Sequence, residues 1–145
     1  MEKIADVVAR LGELAWMRKN AGGRAYVRLL PREGEPVMVH VEVALGPDEQ
    51  RQGLMYREKL EDGEGMLFPS RFPAPKSFWM KNVPIPLDMI FADPDGRIVH
   101  IEHSAPPYSE DPKGTTEPVQ NVMEVPGGFC ERHGIREGDM LEVLG

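Results

Sequence analysis

The sequence has little cysteine and no long apolar run. Cys130 is the single cysteine among 145 residues, so neither an internal disulfide nor a zinc site of four cysteines can form. No apolar run approaches the roughly 20 residues that a helix needs to cross a bilayer, and no transmembrane segment is expected. The fold must therefore depend on the packing of a core, and 145 residues suffice for one compact domain.

Basic residues are also in short supply. Seventeen Lys and Arg residues stand against 24 Asp and Glu residues, which gives a formal net charge of −7. Such a balance favours solubility, disfavours binding to a phosphate backbone and offers no basic patch for an anionic membrane. We expect no nucleic-acid partner.

The start of the sequence shows no visible signal for export. Glu2, Asp6 and Glu13 interrupt any apolar stretch of the kind that a signal peptide contains. This feature slightly favours the cytoplasm, although the compartment stays undetermined.

Residues 1–23 instead predict an amphipathic helix. Its apolar side chains recur at helical spacing on one face, at Ile4, Val7, Val8, Leu11, Leu14 and Ala15. Asn20, Gly22 and Gly23 then supply a helix stop. We expect the helix to pack over a face or an open end of a sheet. The alternative is that it binds a partner or a second copy of the chain.

Residues 24–145 predict one β domain. Apolar and other residues alternate strictly from Val37 to Leu45, which is the period of a half-buried strand. The predicted strands are Ala25–Leu30, Val37–Leu45, Gly65–Phe68, Ser77–Lys81, Leu87–Ala92, Arg97–His103, Val119–Val125 and Met140–Leu144. One short helix is predicted to follow Gly46 and end at Gly53, and another to precede Gly134. The expected fold class is mainly β: a small closed β-barrel or sandwich of mostly antiparallel short strands, with the N-terminal helix and one or two short helices.

The clearest predicted hairpin covers residues 87–103, with a turn at Asp93-Pro94-Asp95-Gly96. Pairing Ala92 with Arg97 would place Met89 opposite His100 and Ile90 opposite Val99. Both faces of the first strand would then carry apolar residues. This pattern favours a strand in the middle of a covered or closed sheet.

Three ordered blocks resemble a known family. They are Gly53-Leu54-Met55-Tyr56-Arg57, Gly65-Met66-Leu67-Phe68 and Phe78-Trp79-Met80-Lys81-Asn82. From about residue 41 to the C-terminus the sequence resembles the domain-of-unknown-function 192 family of prokaryotes. Val83 stands where that family usually has threonine, so a site that needs this hydroxyl would be altered here. The resemblance implies no particular reaction, and it implies relatives that are often exported.

Asp88 is the most unusual residue of the stretch from Phe78 to Phe91, because it interrupts the apolar run Leu87-Asp88-Met89. A buried carboxylate without a partner costs several kcal/mol, so we expect a partner for it. Arg51, Arg57, Lys81 or backbone N–H groups would serve. Asp88 therefore either pins a loop or belongs to a site that binds a ligand or transfers a proton.

Two histidines near Asp88 suggest an enzyme. His100, Glu102 and His103 resemble a set of metal ligands or a general base, but alternate strand residues point to opposite faces, and two further ligands would be required. We therefore expect no metal and no cofactor. The methionines lie among core residues and are interpreted as packing rather than as copper ligands. Cys130 with His133 is a weaker candidate for a nucleophile.

The leading hypothesis is a non-catalytic module that binds a small ligand, a sugar or a peptide. Its candidate binding residues are Arg51, Arg57, Trp79, Lys81, Asn82 and Asp88. Trp79 and Lys81 would share one face of a strand, combining an aromatic ring with a charge. The alternative is a small hydrolase-like or metal-dependent enzyme that uses Asp88 with His100 or His103. A third hypothesis is an accessory protein whose N-terminal helix docks on a larger partner.

Overall fold

The computed structural model describes residues 23–144. The predicted N-terminal helix lies outside these residues. The strands are β1 (Arg24–Leu30), β2 (Val37–Val43), β3 (Glu64–Phe78), β4 (Leu87–Ala92), β5 (Ile98–Ala105), β6 (Lys113–Pro126) and β7 (Met140–Leu144). The helices are α1 (Pro47–Gln52) and α2 (Phe129–His133). Neither helix in the described range is long and apolar enough to span a bilayer.

All seven strands form one sheet, in the order β5-β4-β6-β3-β2-β1-β7. Five of the six neighbouring pairs are antiparallel, and only β2 and β3 run parallel. A parallel pair needs a crossover connection, and the crossover here carries α1. The sheet curls into a half-barrel, and its two edges meet at a bridge between Arg97 and Met140. The prediction of a mainly β fold is confirmed in the coarser form of this half-barrel.

Helix α1 begins and ends where the sequence predicts. Pro47 occupies the first turn, where its missing N–H costs nothing. Gly53 follows the helix with φ 49° and ψ −128°, a conformation that side chains other than glycine rarely adopt, and its N–H donates to the carbonyl of Glu49.

Two strands are much longer than predicted. β3 has 15 residues and β6 has 14, and the separate strands predicted at Gly65–Phe68 and Ser77–Lys81 are parts of β3. Pro69, Pro73 and Pro75 lie between them. Pairing with β6 continues past them because the register shifts between Pro69 and Ala74, and such irregularities accommodate proline. The strand ends at Phe78, so the prediction that Trp79 and Lys81 lie on a strand is wrong.

The predicted hairpin exists, but its register is wrong by two residues. Met89 pairs with Glu102, and Ile90 pairs with Ile101. The side chain of Asp93 accepts hydrogen bonds from the N–H groups of Asp95 and Arg97, which holds Arg97 in the turn. A further irregularity follows Phe91. Because side chains alternate with a period of two, this shift preserves the faces, and β4 is buried on both, as predicted.

Apolar residues are buried on both faces of the sheet. The inner core fills the half-barrel with residues such as Val27, Val41, Ile90, Met123 and Phe129. The outer core covers one outward face of β3, β4 and β6, and includes Leu54, Met66, Phe68, Met80, Met89 and Val122. Leu54 and Met80 belong to connecting segments rather than strands, so these segments cover the outer core.

Candidate functional site

A cavity of ≈ 450 Å³ opens beside the outer core. Helix α1 and the residues after it form one wall, and the end of β3 with residues 79–83 forms another. The residues that line it include Arg51, Lys76, Phe78, Trp79, Lys81 and Glu124. We call this space the α1 cavity.

Glu124 is the buried polar group of the α1 cavity. It lies on β6, paired with Met66 of β3 and Met89 of β4, so its side chain shares the outer face with two methionines. Only 4 % of the residue is exposed. Among the described residues, no side chain or backbone group hydrogen-bonds or ion-pairs with its carboxyl group. Burial raises the pKa of Glu124 to about 8.

The raised pKa has a chemical consequence. A carboxyl group with a pKa of about 8 is mostly protonated at neutral pH. Glu124 then presents one O–H donor and a free acceptor oxygen, rather than a negative charge. The floor of the α1 cavity is therefore a neutral hydrogen-bonding group without a partner among the described residues.

Trp79 and Lys81 lie together at the rim of the cavity. The Lys81 Nζ atom is 5.0 Å from the centroid of the Trp79 ring, a cation–π contact. Trp79 is 44 % exposed. Met80, between them, is fully buried, and its N–H donates to the carbonyl of Ser109 at 2.7 Å. The buried Met80 therefore anchors a turn that presents both neighbours to the cavity.

The charged rim is mainly positive. Arg51 and Lys76 line the cavity with Lys81, and Glu110 is the acidic residue among the rim side chains. Within residues 23–144, the ion pair of Arg51 is a long contact of 4.0 Å with Asp48 on the same helix. Three cationic side chains therefore surround a cavity whose floor is a protonated acid.

Arg57 and Asn82 lie close by without lining the α1 cavity. Arg57 donates two hydrogen bonds to Glu42, at 2.7 and 2.9 Å, beside a neighbouring cavity. The hydrogen bond to Arg57 lowers the pKa of Glu42, despite partial burial. Asn82 adopts φ 59°, accepts the N–H of Tyr56 at 2.7 Å and donates from its amide to the Tyr56 hydroxyl at 3.2 Å. Asn82 thereby ties the rim turn to the segment after α1.

Asp88 has an environment unlike that of Glu124. Its carboxylate accepts the N–H groups of Ser104 at 2.7 Å, Gly128 at 3.0 Å and Cys130 at 2.9 Å. Asp88 is fully buried, shares the inner face with its pairing partner Val125, and is not among the residues that line the α1 cavity. The structure thus separates it from Trp79 and Lys81. Its described contacts are those of a carboxylate that pins the start of α2 and the end of β5.

The alternative residues for catalysis are likewise dispersed. His100 hydrogen-bonds Glu102 at 2.9 Å, and His103 is exposed. No hydrogen bond joins either histidine to Asp88 within residues 23–144. The Cys130 thiol is buried, and burial together with the nearby Asp88 carboxylate raises its pKa, which disfavours the nucleophilic thiolate. No three His, Cys, Asp or Glu side chains of the described part form a group able to hold a metal ion.

Glu124 and Lys76 were missed by reasoning from the sequence. The signal for Glu124 was present, because the predicted strand Val119–Val125 contains one acid within Val122-Met123-Glu124-Val125. This is the pattern that singled out Asp88. Lys76 carried no such signal, since it follows a proline in a segment without clear alternation.

Comparison with known proteins identifies relatives of the same fold. A candidate transcription regulator from Sinorhizobium meliloti has a crystal structure 40% identical in sequence, with a TM-score of 0.81, covering 83% of this chain and 94% of that one. A protein of unknown function from Novosphingobium aromaticivorans is 39% identical, with a TM-score of 0.78, covering 81% of this chain and 83% of that one. No curated protein matches.

The family resemblance carried by the three blocks is confirmed over most of the chain. The sequence profile of the domain-of-unknown-function 192 family, described as "Uncharacterized ACR", matches residues 29–143. That range includes strands β2 to β6, the last two residues of β1 and all but the last residue of β7, together with the residues that line the α1 cavity. The chain therefore belongs to the domain-of-unknown-function 192 family.

Proposed function

We propose that this protein is a non-catalytic module that binds a small hydroxylated molecule, such as a sugar, in the α1 cavity. The observation that carries the proposal is Glu124, a carboxyl group 4 % exposed and without a described partner on the cavity floor. Leaving a buried polar group unpaired costs about 1–3 kcal/mol. A ligand hydroxyl group would supply the missing partner.

The rim supports the same class of ligand. The exposed Trp79 ring offers an apolar face, and Phe78 adds a second aromatic wall. Sugars combine hydroxyl groups with apolar C–H faces, so they satisfy both parts of the cavity. The volume of ≈ 450 Å³ lies in the range of about 300–1,000 Å³ that is typical of small-molecule sites.

A peptide fits the described structure less well. Peptide strands commonly add to a free sheet edge. Here the edge strands β5 and β7 approach each other at the Arg97–Met140 bridge, where the N–H of Leu141 donates to the carbonyl of Gly96 at 2.7 Å. A small molecule in the α1 cavity needs no such edge.

The proposal is tested by NMR with a library of monosaccharides and small polar fragments added to the full chain. We expect shift changes centred on Trp79, Lys81 and Glu124. Trp79→Leu should weaken the best hit about fivefold, because ring stacking is worth ~1 kcal/mol. Tyr26→Leu is the matched control, since Tyr26 is 51% exposed on β1 and does not line the cavity. Shift changes elsewhere, or none with any library member, would contradict the proposal.

A further inference from the structure

The chemical class of the ligand follows from how charge is distributed in the α1 cavity. We infer that the ligand is an acidic sugar, whose carboxylate pairs with the cationic rim while a hydroxyl group hydrogen-bonds the buried Glu124 carboxyl group. This inference rests on the proposed binding function and names the ligand within it.

The charged side chains at the rim of the cavity are mostly cationic. Arg51 on α1, Lys76 on β3 and Lys81 in the following turn line the cavity, against Glu110. In a chain of net charge −7, a cavity mouth with three cations and one anion is a local reversal of sign. Such a mouth attracts an anionic ligand and disfavours a cationic one.

The rim cations are not paired with Glu124. Burial raises the pKa of Glu124, and among the described residues no ion pair joins Glu124 to Arg51, Lys76 or Lys81. The cations are therefore not engaged by Glu124. They remain available to a ligand carboxylate at the mouth, where charge-assisted hydrogen bonds to Lys and Arg are strong.

The protonation state of Glu124 determines which ligand group can bind beside it. An ionised acid at this depth would repel an anionic ligand, whereas a protonated one donates and accepts hydrogen bonds without charge. Glu124 is flanked on its sheet face by Met66 and Met89 and is 4 % exposed, and this burial favours the neutral form. A ligand hydroxyl group matches a neutral acid, because each can donate to and accept from the other.

The aromatic lining of the cavity also favours one orientation of the ligand. Trp79 and Phe78 line the same cavity as the rim cations and Glu124, and supply the aromatic part of its surface. A sugar ring with a carboxylate at one side and hydroxyl groups at the other would present its C–H face to them. Uronic acids have this arrangement, whereas neutral sugars lack the carboxylate and amino sugars carry the opposite charge.

The inference is tested by calorimetry on the full chain with D-glucuronate, D-galacturonate, D-glucose and D-glucosamine. We expect at least one uronate to bind about tenfold or more tightly than glucose, and glucosamine to bind weakest. Lys76→Gln and Lys81→Gln should each weaken that uronate severalfold with little effect on glucose. Lys59→Gln is the control, since Lys59 is exposed and does not line the cavity.

Variants of Glu124 test the neutral acid separately. Glu124→Gln keeps a donor and an acceptor, so uronate affinity should stay within about threefold. Glu124→Leu removes both and should lower affinity about tenfold or more. A large loss with Glu124→Gln would show that an ionised carboxylate binds the ligand, and would overturn the inference.

The outcomes separate this inference from the proposed function. Glucose binding as tightly as both uronates, or glucosamine binding more tightly, would overturn the acidic class and leave a sugar-binding cavity. If none of the four sugars binds, but library members still shift the signals of Trp79, the acidic-sugar inference is overturned and small-molecule binding in the cavity stands. If no library member binds either, both the inference and the proposed function are overturned.

Discussion

Two buried carboxyl groups lie on neighbouring strands and have opposite environments. Asp88 on β4 accepts three backbone N–H groups on the inner face. Glu124 on β6 sits on the outer face between two methionines, with no described partner. The first group is satisfied within the fold, and the second is left for something that enters the α1 cavity.

This contrast could be predicted only in part. Leu87-Asp88-Met89 and Met123-Glu124-Val125 show the same pattern, an acid inside an apolar strand. The partner groups decide the role of each acid, and those of Asp88 lie on residues up to 42 positions away. Arg57 is a similar case, because its partner Glu42 comes from an earlier strand. Pairing across such distances is set by the register of the whole sheet.

Asp88→Asn should destabilise the fold. One carboxylate oxygen becomes an NH₂ group that faces backbone N–H donors, so at least one charge-assisted hydrogen bond is lost and a donor is left unpaired. We expect the free energy of unfolding, measured in urea, to fall by about 3 kcal/mol. Asp95→Asn, in an exposed turn, is the control and should change stability little. An Asp88→Asn protein of normal stability that loses ligand affinity would instead place Asp88 in the site.

Glu124 should make stability fall as pH rises. Its folded-state pKa of about 8 lies above the ordinary value of 4.5, so the folded state holds a proton that the unfolded chain has released between these values. In that window the free energy of unfolding should decrease with pH by at most ~1.4 kcal/mol per pH unit. Well below pH 4.5 and well above pH 8, the contribution of Glu124 to the free energy of unfolding does not change with pH.

Glu124→Gln should remove this slope, because the amide does not titrate. The measurement is urea unfolding from pH 5 to pH 8 for both proteins, with Glu117→Gln on the exposed part of β6 as the control. If wild type and Glu124→Gln showed the same pH dependence, the carboxyl group would not be buried as described.

At the scale of elements, the turn after β3 determines where the rim side chains point. Strand β3 ends at Phe78, Met80 is buried in the outer core, and Asn82 has a positive φ of 59°. The sequence predicted the strands on either side but extended the first one through Lys81. It could not show that Met80 would turn inward, because its burial depends on contacts with the segment after α1.

Asn82→Ala and Asn82→Gly form a matched pair that tests this turn. Both lose the hydrogen bond from the Asn82 amide to Tyr56, but only alanine strains the left-handed backbone. We therefore expect the alanine variant to be about 1 kcal/mol less stable than the glycine variant in urea unfolding. Equal stability of the two variants would contradict the conformation described for Asn82.

Other elements were predicted well where local signals sufficed. Strands β1, β4 and β7, and helix α1, lie within a residue or two of their predicted positions, because alternation, proline and glycine mark their ends. β3 and β6 exceed their predicted lengths because irregular pairing carries them past prolines. Irregularities in a ladder depend on both strands, and neither strand's sequence specifies them alone.

At the scale of the whole molecule, net charge limits the partners. A chain of net charge −7 is repelled by a phosphate backbone, even though one relative from Sinorhizobium meliloti is named as a candidate transcription regulator. We predict no shift of a mixed-sequence DNA duplex in a mobility assay with the full chain near physiological salt. A stable complex that weakens steeply with added salt would contradict this prediction.

The curled sheet divides the molecule into an inner core within the half-barrel and an outer core with an open cavity. The cavity is open because α1 and the rim turn cover only part of the outer face. Glu124 lies on the outer face of the sheet and lines this cavity. The proposed binding site therefore depends most on whether the Glu124 carboxyl group is protonated.

The most direct measurement is an NMR titration of the Glu124 side-chain carboxyl carbon in the full chain, assigned by comparison with Glu124→Gln. The account predicts a midpoint near pH 8 for the free protein, since burial raises the pKa of Glu124 to about 8. A midpoint near the ordinary glutamate value of 4.5 would show a solvated or paired carboxylate and would contradict the account.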